Sequence, residues 1–146
     1  MNIVPAKDIP EEILHDSVLA RIAAAYFSVA RRLERKTHCS ATRGFILSTL
    51  RNGATLNQNQ IATLLGLDRT VVHRAIKSMV QEGLVSERKA KTGRAIQLKL
   101  TPKGAKYRDR LIKVRVAADD QLRKELTPEG CATLVRLLKL TAELEL

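Results

Sequence analysis

A chain of 146 residues is long enough for one domain with a buried core plus an accessory element, and a hydrophobic content of 45% agrees with that. With 26 Lys and Arg against 15 Asp and Glu, the net charge of +11 makes a polyanion the default partner. Two cysteines exclude a disulfide framework, and the lack of a long apolar run or N-terminal signal pattern leads us to expect a cytoplasmic protein with no membrane partner.

In chain order, the first dozen residues, with Pro5 and Pro10, read as an irregular arm leading into a helix. A long helix is predicted over 11–36. Val18, Ile22, Tyr26, Val29 and Leu33 form one apolar stripe, which Leu14, Leu19, Ala23 and Ala30 widen. A stripe so broad predicts burial on more than one side, either against a partner subunit or inside a monomer. Thr37 to Ser40 interrupts the pattern, and Ser40 can cap a second helix through Phe45, Ile46, Leu47 and Leu50, ended by Asn52-Gly53. Thr55-Leu56 reads as a short strand beside a hairpin.

The next segment carries the densest local signals. Asn57 and Gln60 have the spacing of a reciprocal helix cap, ahead of an apolar face of Ile61, Leu64 and Leu65. Gly66 ends that helix, Leu67 fills the turn and Asp68 caps another. In this second helix Val71, Val72, Ala75, Ile76, Met79 and Val80 recur at helical spacing, leaving Arg69, Thr70, His73, Arg74, Lys77 and Gln81 on the other face. A helix fits the major groove of B-DNA, so this polar face is the candidate reader; a merely solvated face is the bland alternative. The following residues favour the reader. After Gly83, strands are predicted over 85–89 and 94–100, with Thr92-Gly93 in the turn and Arg88, Lys89, Lys91 and Arg94 making the loop cationic. A basic hairpin beside a basic helix suits phosphate and minor-groove contacts on either side of a major-groove reader.

Thr101-Pro102 and Thr127-Pro128 are paired start signals, each a capping hydroxyl followed by a proline at the first helical position. The first helix carries Tyr107, Leu111, Val114, Ala118, Leu122 and Leu126 along one side. In the last, Leu134, Val135, Leu137, Leu138, Leu140, Ala142 and Leu144 surround nearly the whole circumference. Apolar surface of that extent predicts a subunit interface. The expected fold class is mainly α with a small β-hairpin wing: a winged helix-turn-helix over 40–100 for DNA binding, and a helical dimerisation region over 11–36 and 102–146.

The run LDRTVVHRAIKSMVQEGLV, followed by a basic loop and LTPKG, resembles the multiple antibiotic resistance regulator (MarR) family. The resemblance is strongest over 56–104, extends more loosely to LTPEGCATLVRLLKL, and covers 11–50 mainly by helix length and order. It implies a homodimeric transcription regulator, often a repressor, bound to a near-palindromic double-stranded operator and released by a small aromatic effector or an oxidant. In the family the wing commonly carries an Asp and, two residues later, an Arg; here the loop RKAKTGR is shorter and has no Asp, and Arg94 is the best match to the arginine. The candidate DNA-binding residues are thus Arg69, Thr70, His73, Arg74, Lys77, Arg88, Lys91 and Arg94.

No catalytic residues, metal ligands or cofactor are expected. His38-Cys39 pairs a base with a nucleophile only in sequence and has no third orienting group, while His15, His38, His73, Cys39 and Cys131 lack metal-ligand spacing. Cys39 reads as a bystander thiol; redox sensing is the alternative if Arg35, Lys36 or the following helix N-terminus lowers its pKa. Four aromatics, Tyr26, Phe27, Phe45 and Tyr107, lie outside the basic stretch, which argues against stacking on unpaired bases. A weakly specific architectural DNA coat is the competing reading from another class.

Overall fold

The computed structural model describes residues 17–50, 55–89 and 96–144. Six helices and one hairpin follow in the order α1 (Val18–Thr37), α2 (Ala41–Thr49), α3 (Gln58–Leu65), α4 (Arg69–Gln81), β1 (Val85–Lys89), β2 (Ile96–Leu100), α5 (Pro102–Glu125) and α6 (Pro128–Glu143). The expected arm, residues 11–16 of the first helix, Asn52-Gly53, and the wing tip with Lys91, Thr92-Gly93 and Arg94 lie outside the described residues.

Local chemistry sets most of the boundaries. Ser17, Ser40 and Thr127 each accept a backbone N–H from three residues ahead, satisfying donors that have no partner within a first helical turn. α1 stops at His38, whose left-handed backbone (φ 53°) returns its N–H to the Glu34 carbonyl at 2.7 Å. α3 opens with the predicted reciprocal cap: Gln60 N–H donates to Asn57 Oδ1 and Asn57 N–H to Gln60 Oε1, both at 2.9 Å. It closes at Gly66 (φ 60°), where Leu67 N–H donates to the Ala62 carbonyl and Gly66 N–H to Thr63, the pair of bonds of a Schellman ending. That left-handed turn lets α4 begin three residues later, at Arg69.

The core sits where these short elements converge. Ile46 and Leu47 of α2 and Leu50 just after it meet Ile61 and Ala62 of α3, Val72, Ile76 and Met79 of α4, Leu84 just before β1, and Val85 and Leu98 of the hairpin. Tyr107 and Leu111 of α5 pack against this cluster. β1 and β2 are antiparallel, with Val85 opposite Leu100, Glu87 opposite Leu98 and Lys89 opposite Ile96. Leu56 adds the expected short bridge, exchanging two backbone hydrogen bonds with Leu98 at 2.8 and 3.3 Å.

Two positions differ from the periodic reading. Leu64 is 64% exposed and Val71 42% exposed, while small Ala62 takes the inward place on α3. On α4 the buried residues Val72, Ile76 and Met79 are four and three apart and define the inward line. Val71, a residue earlier, is rotated by about 100° from it.

The chain divides into two compact units, residues 1–111 and 112–146, with the division inside α5. Neither α1 in the first unit nor α6 in the second contains a fully buried residue. Phe27 is 66% exposed, and Leu134, Val135, Leu137, Leu138 and Leu140 each leave close to half their surface uncovered. Among the described residues no helix is long and apolar enough to cross a membrane.

Candidate nucleic-acid interface

α4 presents its polar side as a single outward face because its inward line is fully occupied by Val72, Ile76 and Met79. Arg69, Thr70, His73, Arg74 and Lys77 are all exposed, and their spacing of three and four residues places them on adjacent turns. Asp68 caps this helix through one carboxylate oxygen, which accepts Thr70 N–H at 2.7 Å and Val71 N–H at 3.3 Å. The backbone bond from Thr70 is the main reason the Asp68 carboxyl stays below its ordinary range; side-chain bonding by Thr70, the Val71 N–H and the Arg74 charge add to it. The first turn of the helix therefore enters solvent already ordered, with Arg69 and Thr70 on it.

α3 contributes a contact that the sequence did not disclose. Gln58, in its first turn, places Oε1 3.1 Å from His73 Nδ1 on α4. Fifteen positions separate the two residues, and no helix or strand period spans the intervening turn, so only the packed helix pair brings them together.

The far end of α4 is held by a second cluster. Arg43 on α2 grips Glu82 with both terminal nitrogens, at 2.9 Å to Oε1 and 2.6 Å to Oε2, and Ser78 Oγ donates to Oε1 at 2.8 Å. The fork from Arg43 is the chief cause of a lowered Glu82 pKa, and the same bond raises that of Arg43. Lys103 Nζ donates to the Glu82 carbonyl at 2.7 Å, and the Thr101 hydroxyl donates to the Gly83 carbonyl at 2.7 Å while accepting Gly104 N–H at 3.0 Å. At Gly104 a Cβ would run into the Leu84 carbonyl, so the start of α5 lies directly on the chain leaving α4.

Of the wing residues, Arg88 and Lys89 are exposed on β1, where Arg88 pairs with Gln97. Lys91 and Arg94 are not among the described residues.

Cys39 lies away from that exposed face. It is 6% exposed, and its Sγ lies 3.6 Å from the Ser40 carbonyl. Burial pushes the thiol pKa up and outweighs the opposing influence of Tyr107 and Arg43, which favours the inert thiol over a thiolate sensor. Among the described residues no three His, Cys, Asp or Glu side chains come together as a metal-binding group.

Residues 41–95 match the sequence model of the MarR family. No curated protein matches the chain. Among solved structures, the transcriptional repressor CouR bound to a 23-mer DNA duplex is 21% identical and superposes with a TM-score of 0.81 over 92% of this chain and 99% of that one. A cysteine-to-serine variant of E. coli MarR complexed with operator DNA is 24% identical, with a TM-score of 0.75 over 92% and 98%. Bordetella bronchiseptica BpsR, whose DNA binding is regulated by 6-hydroxynicotinic acid, is 16% identical, with a TM-score of 0.80 over 89% and 96%. Residues 41–95 of this chain therefore resemble the MarR family in sequence, and the chain shares the winged helix-turn-helix fold of these solved structures.

Proposed function

We propose that the protein is a homodimeric, sequence-specific regulator of transcription that binds double-stranded DNA and represses until a small aromatic effector releases it. The observation that carries the DNA reading is the outward face of α4, where Arg69, Arg74 and Lys77 flank Thr70 and His73 with no apolar partner covering them. A helix with this face enters the major groove, while Arg88, Lys91 and Arg94 of the wing reach phosphates and the neighbouring minor groove. The net charge of +11 supports a polyanionic target. DNA in the CouR and MarR complexes supports the same partner for this chain.

Exposed leucines on α6 and the uncovered Val18, Leu19 and Phe27 of α1 support a second copy as partner. Two-fold symmetry then sets two reading helices about 34 Å apart, on successive major grooves, and makes the operator a near-palindrome. Release by an aromatic molecule has its support in the regulation of BpsR by 6-hydroxynicotinic acid.

Selection from random duplexes tests this reading. A regulator enriches a palindromic motif over random DNA by about three or more powers of ten, whereas an architectural coat does not. On the selected site, Arg74→Ala should cost about 1–3 kcal/mol and narrow the gap to random DNA, because a guanidinium forked onto guanine reads sequence. Lys91→Ala should instead weaken both DNAs alike and lower the salt slope by about one. Equal losses on both DNAs for Arg74→Ala would overturn its assignment as a base contact.

A further inference from the structure

The contact between α3 and α4 gives His73 a defined chemical sense. The Gln58 amide oxygen carries no hydrogen, so its 3.1 Å approach to His73 Nδ1 is a hydrogen bond in the tautomer that carries its proton on Nδ1. In the neutral imidazole the other ring nitrogen, Nε2, is then left with a lone pair and no hydrogen. His73 is exposed on the face that carries Thr70 and Arg74, while Gln58 is half-buried in the first turn of α3. The anchor is thus the more buried of the two residues, and Nε2 lies across the ring from it. An unanchored exposed histidine would exchange tautomers and offer a donor or an acceptor with little discrimination.

We propose that Gln58 is a positioning residue that fixes the His73 tautomer, so that His73 Nε2 selects a base bearing an amino group in the major groove, cytosine through N4 or adenine through N6. The selection rests on the donor and acceptor pattern of the groove. Cytosine and adenine present N–H donors there, whereas guanine N7 and O6 and thymine O4 present lone pairs that oppose the lone pair of Nε2. Gln58 touches no base in this scheme; it acts through the ring it holds. This inference deepens the DNA-binding reading above and depends on it.

The test replaces the amide by its charged isostere. Gln58→Glu keeps the length of the side chain and suits a helix N-terminus, so folding is preserved and is checked by thermal melting. A carboxylate at 58 favours the imidazolium, whose Nε2 carries a hydrogen and donates. Duplex selection is run on the full-length parent, Gln58→Glu, His73→Ala and the Gln58→Glu/His73→Ala double variant. The column in question is the one whose preference disappears in His73→Ala. In the parent it should hold cytosine or adenine with roughly tenfold preference over guanine, the scale of one mismatched base pair. Gln58→Glu should shift that column to guanine, and the double variant should show no preference there. Added negative charge weakens binding to every sequence, which is why the readout is the identity of the column and not the overall affinity. The 15N shifts of the neutral His73 ring should independently show a protonated Nδ1. Guanine in the parent column, a column unmoved by Gln58→Glu, or a ring protonated at Nε2 overturns the proposal while leaving a sequence-specific protein. Failure of the parent to enrich any motif overturns the DNA-reading proposal itself.

Discussion

The hydrophobic cluster of the winged helix and the apolar surface of α6 are built from the same residue types, yet only the first is covered within one chain. Ile46, Leu47, Ile61, Ile76 and Leu98 are shut off from solvent, whereas Leu134, Leu137, Leu138 and Leu140 leave nearly half their surface open. The difference teaches that apolar content does not by itself locate a core. Short elements close on one another, as α2, α3, α4 and the hairpin do around Ile76. A helix apolar on several sides keeps one side open unless something else is brought to it.

Removing apolar surface from α6 without altering charge should have the largest effect. Leu134→Gln with Leu138→Gln, one turn apart, should convert a particle of twice 16.2 kDa into a single chain by light scattering. Operator affinity should fall by about two to four powers of ten as the two readers lose their linkage. The unfolding midpoint at high dilution should stay put. A parent that already scatters as a single chain at micromolar concentration would remove the dimer.

Ile76→Ala addresses the other side of the comparison. It removes a fully buried side chain from the centre of the cluster and should cost about 2–5 kcal/mol in denaturant titration, independent of protein concentration. If the α6 double variant loses as much at high dilution, the supposed contrast between an internal core and an external face is wrong.

Much of this architecture is legible in the sequence because its signals are local. The Asn57 and Gln60 cap, the Asp68 cap and Gly66 lie within a few residues of the bonds they make, and each forms as its spacing predicts. The face of α3 is less legible, since a helical period says which residues align but not which line faces inward. Leu64 draws the eye as the larger group, while the neighbouring elements select the line through Ile61 and Ala62. The links from Gln58 to His73 and from Arg43 to Glu82 leave no local trace at all; each joins residues whose nearness exists only after the helices pack.

A smaller effect is expected at the clamp on the end of α4. Arg43 and Glu82 are partly exposed, at 21% and 45% of their side chains, so solvent screening limits the pair to roughly 0.5–1 kcal/mol. The sign of its pH dependence follows from the lowered Glu82 pKa. The stabilisation is complete above the ordinary value of 4.5 and is lost as pH falls through the lower folded-state value. Glu82→Gln should therefore reduce stability near neutrality and flatten the acid limb of the stability curve below about pH 4.5. An unchanged acid limb would show that the pair contributes nothing.

The smallest expected effect is at Cys39. With its thiol buried and its pKa raised by that burial, Cys39→Ser should leave operator binding and the response to peroxide unchanged. A peroxide-triggered release in the parent that disappears in the variant would restore the redox alternative.

Gly104 has a consequence for how this chain tolerates change. Every residue other than glycine brings a Cβ, and here that atom meets the Leu84 carbonyl, a backbone group that cannot rotate aside. Lys103, its neighbour, sends its side chain outward to the Glu82 carbonyl. In a library covering all substitutions at both positions, survivors at 103 should be diverse and survivors at 104 should be glycine alone, so two adjacent codons mark the opposite extremes of permissiveness.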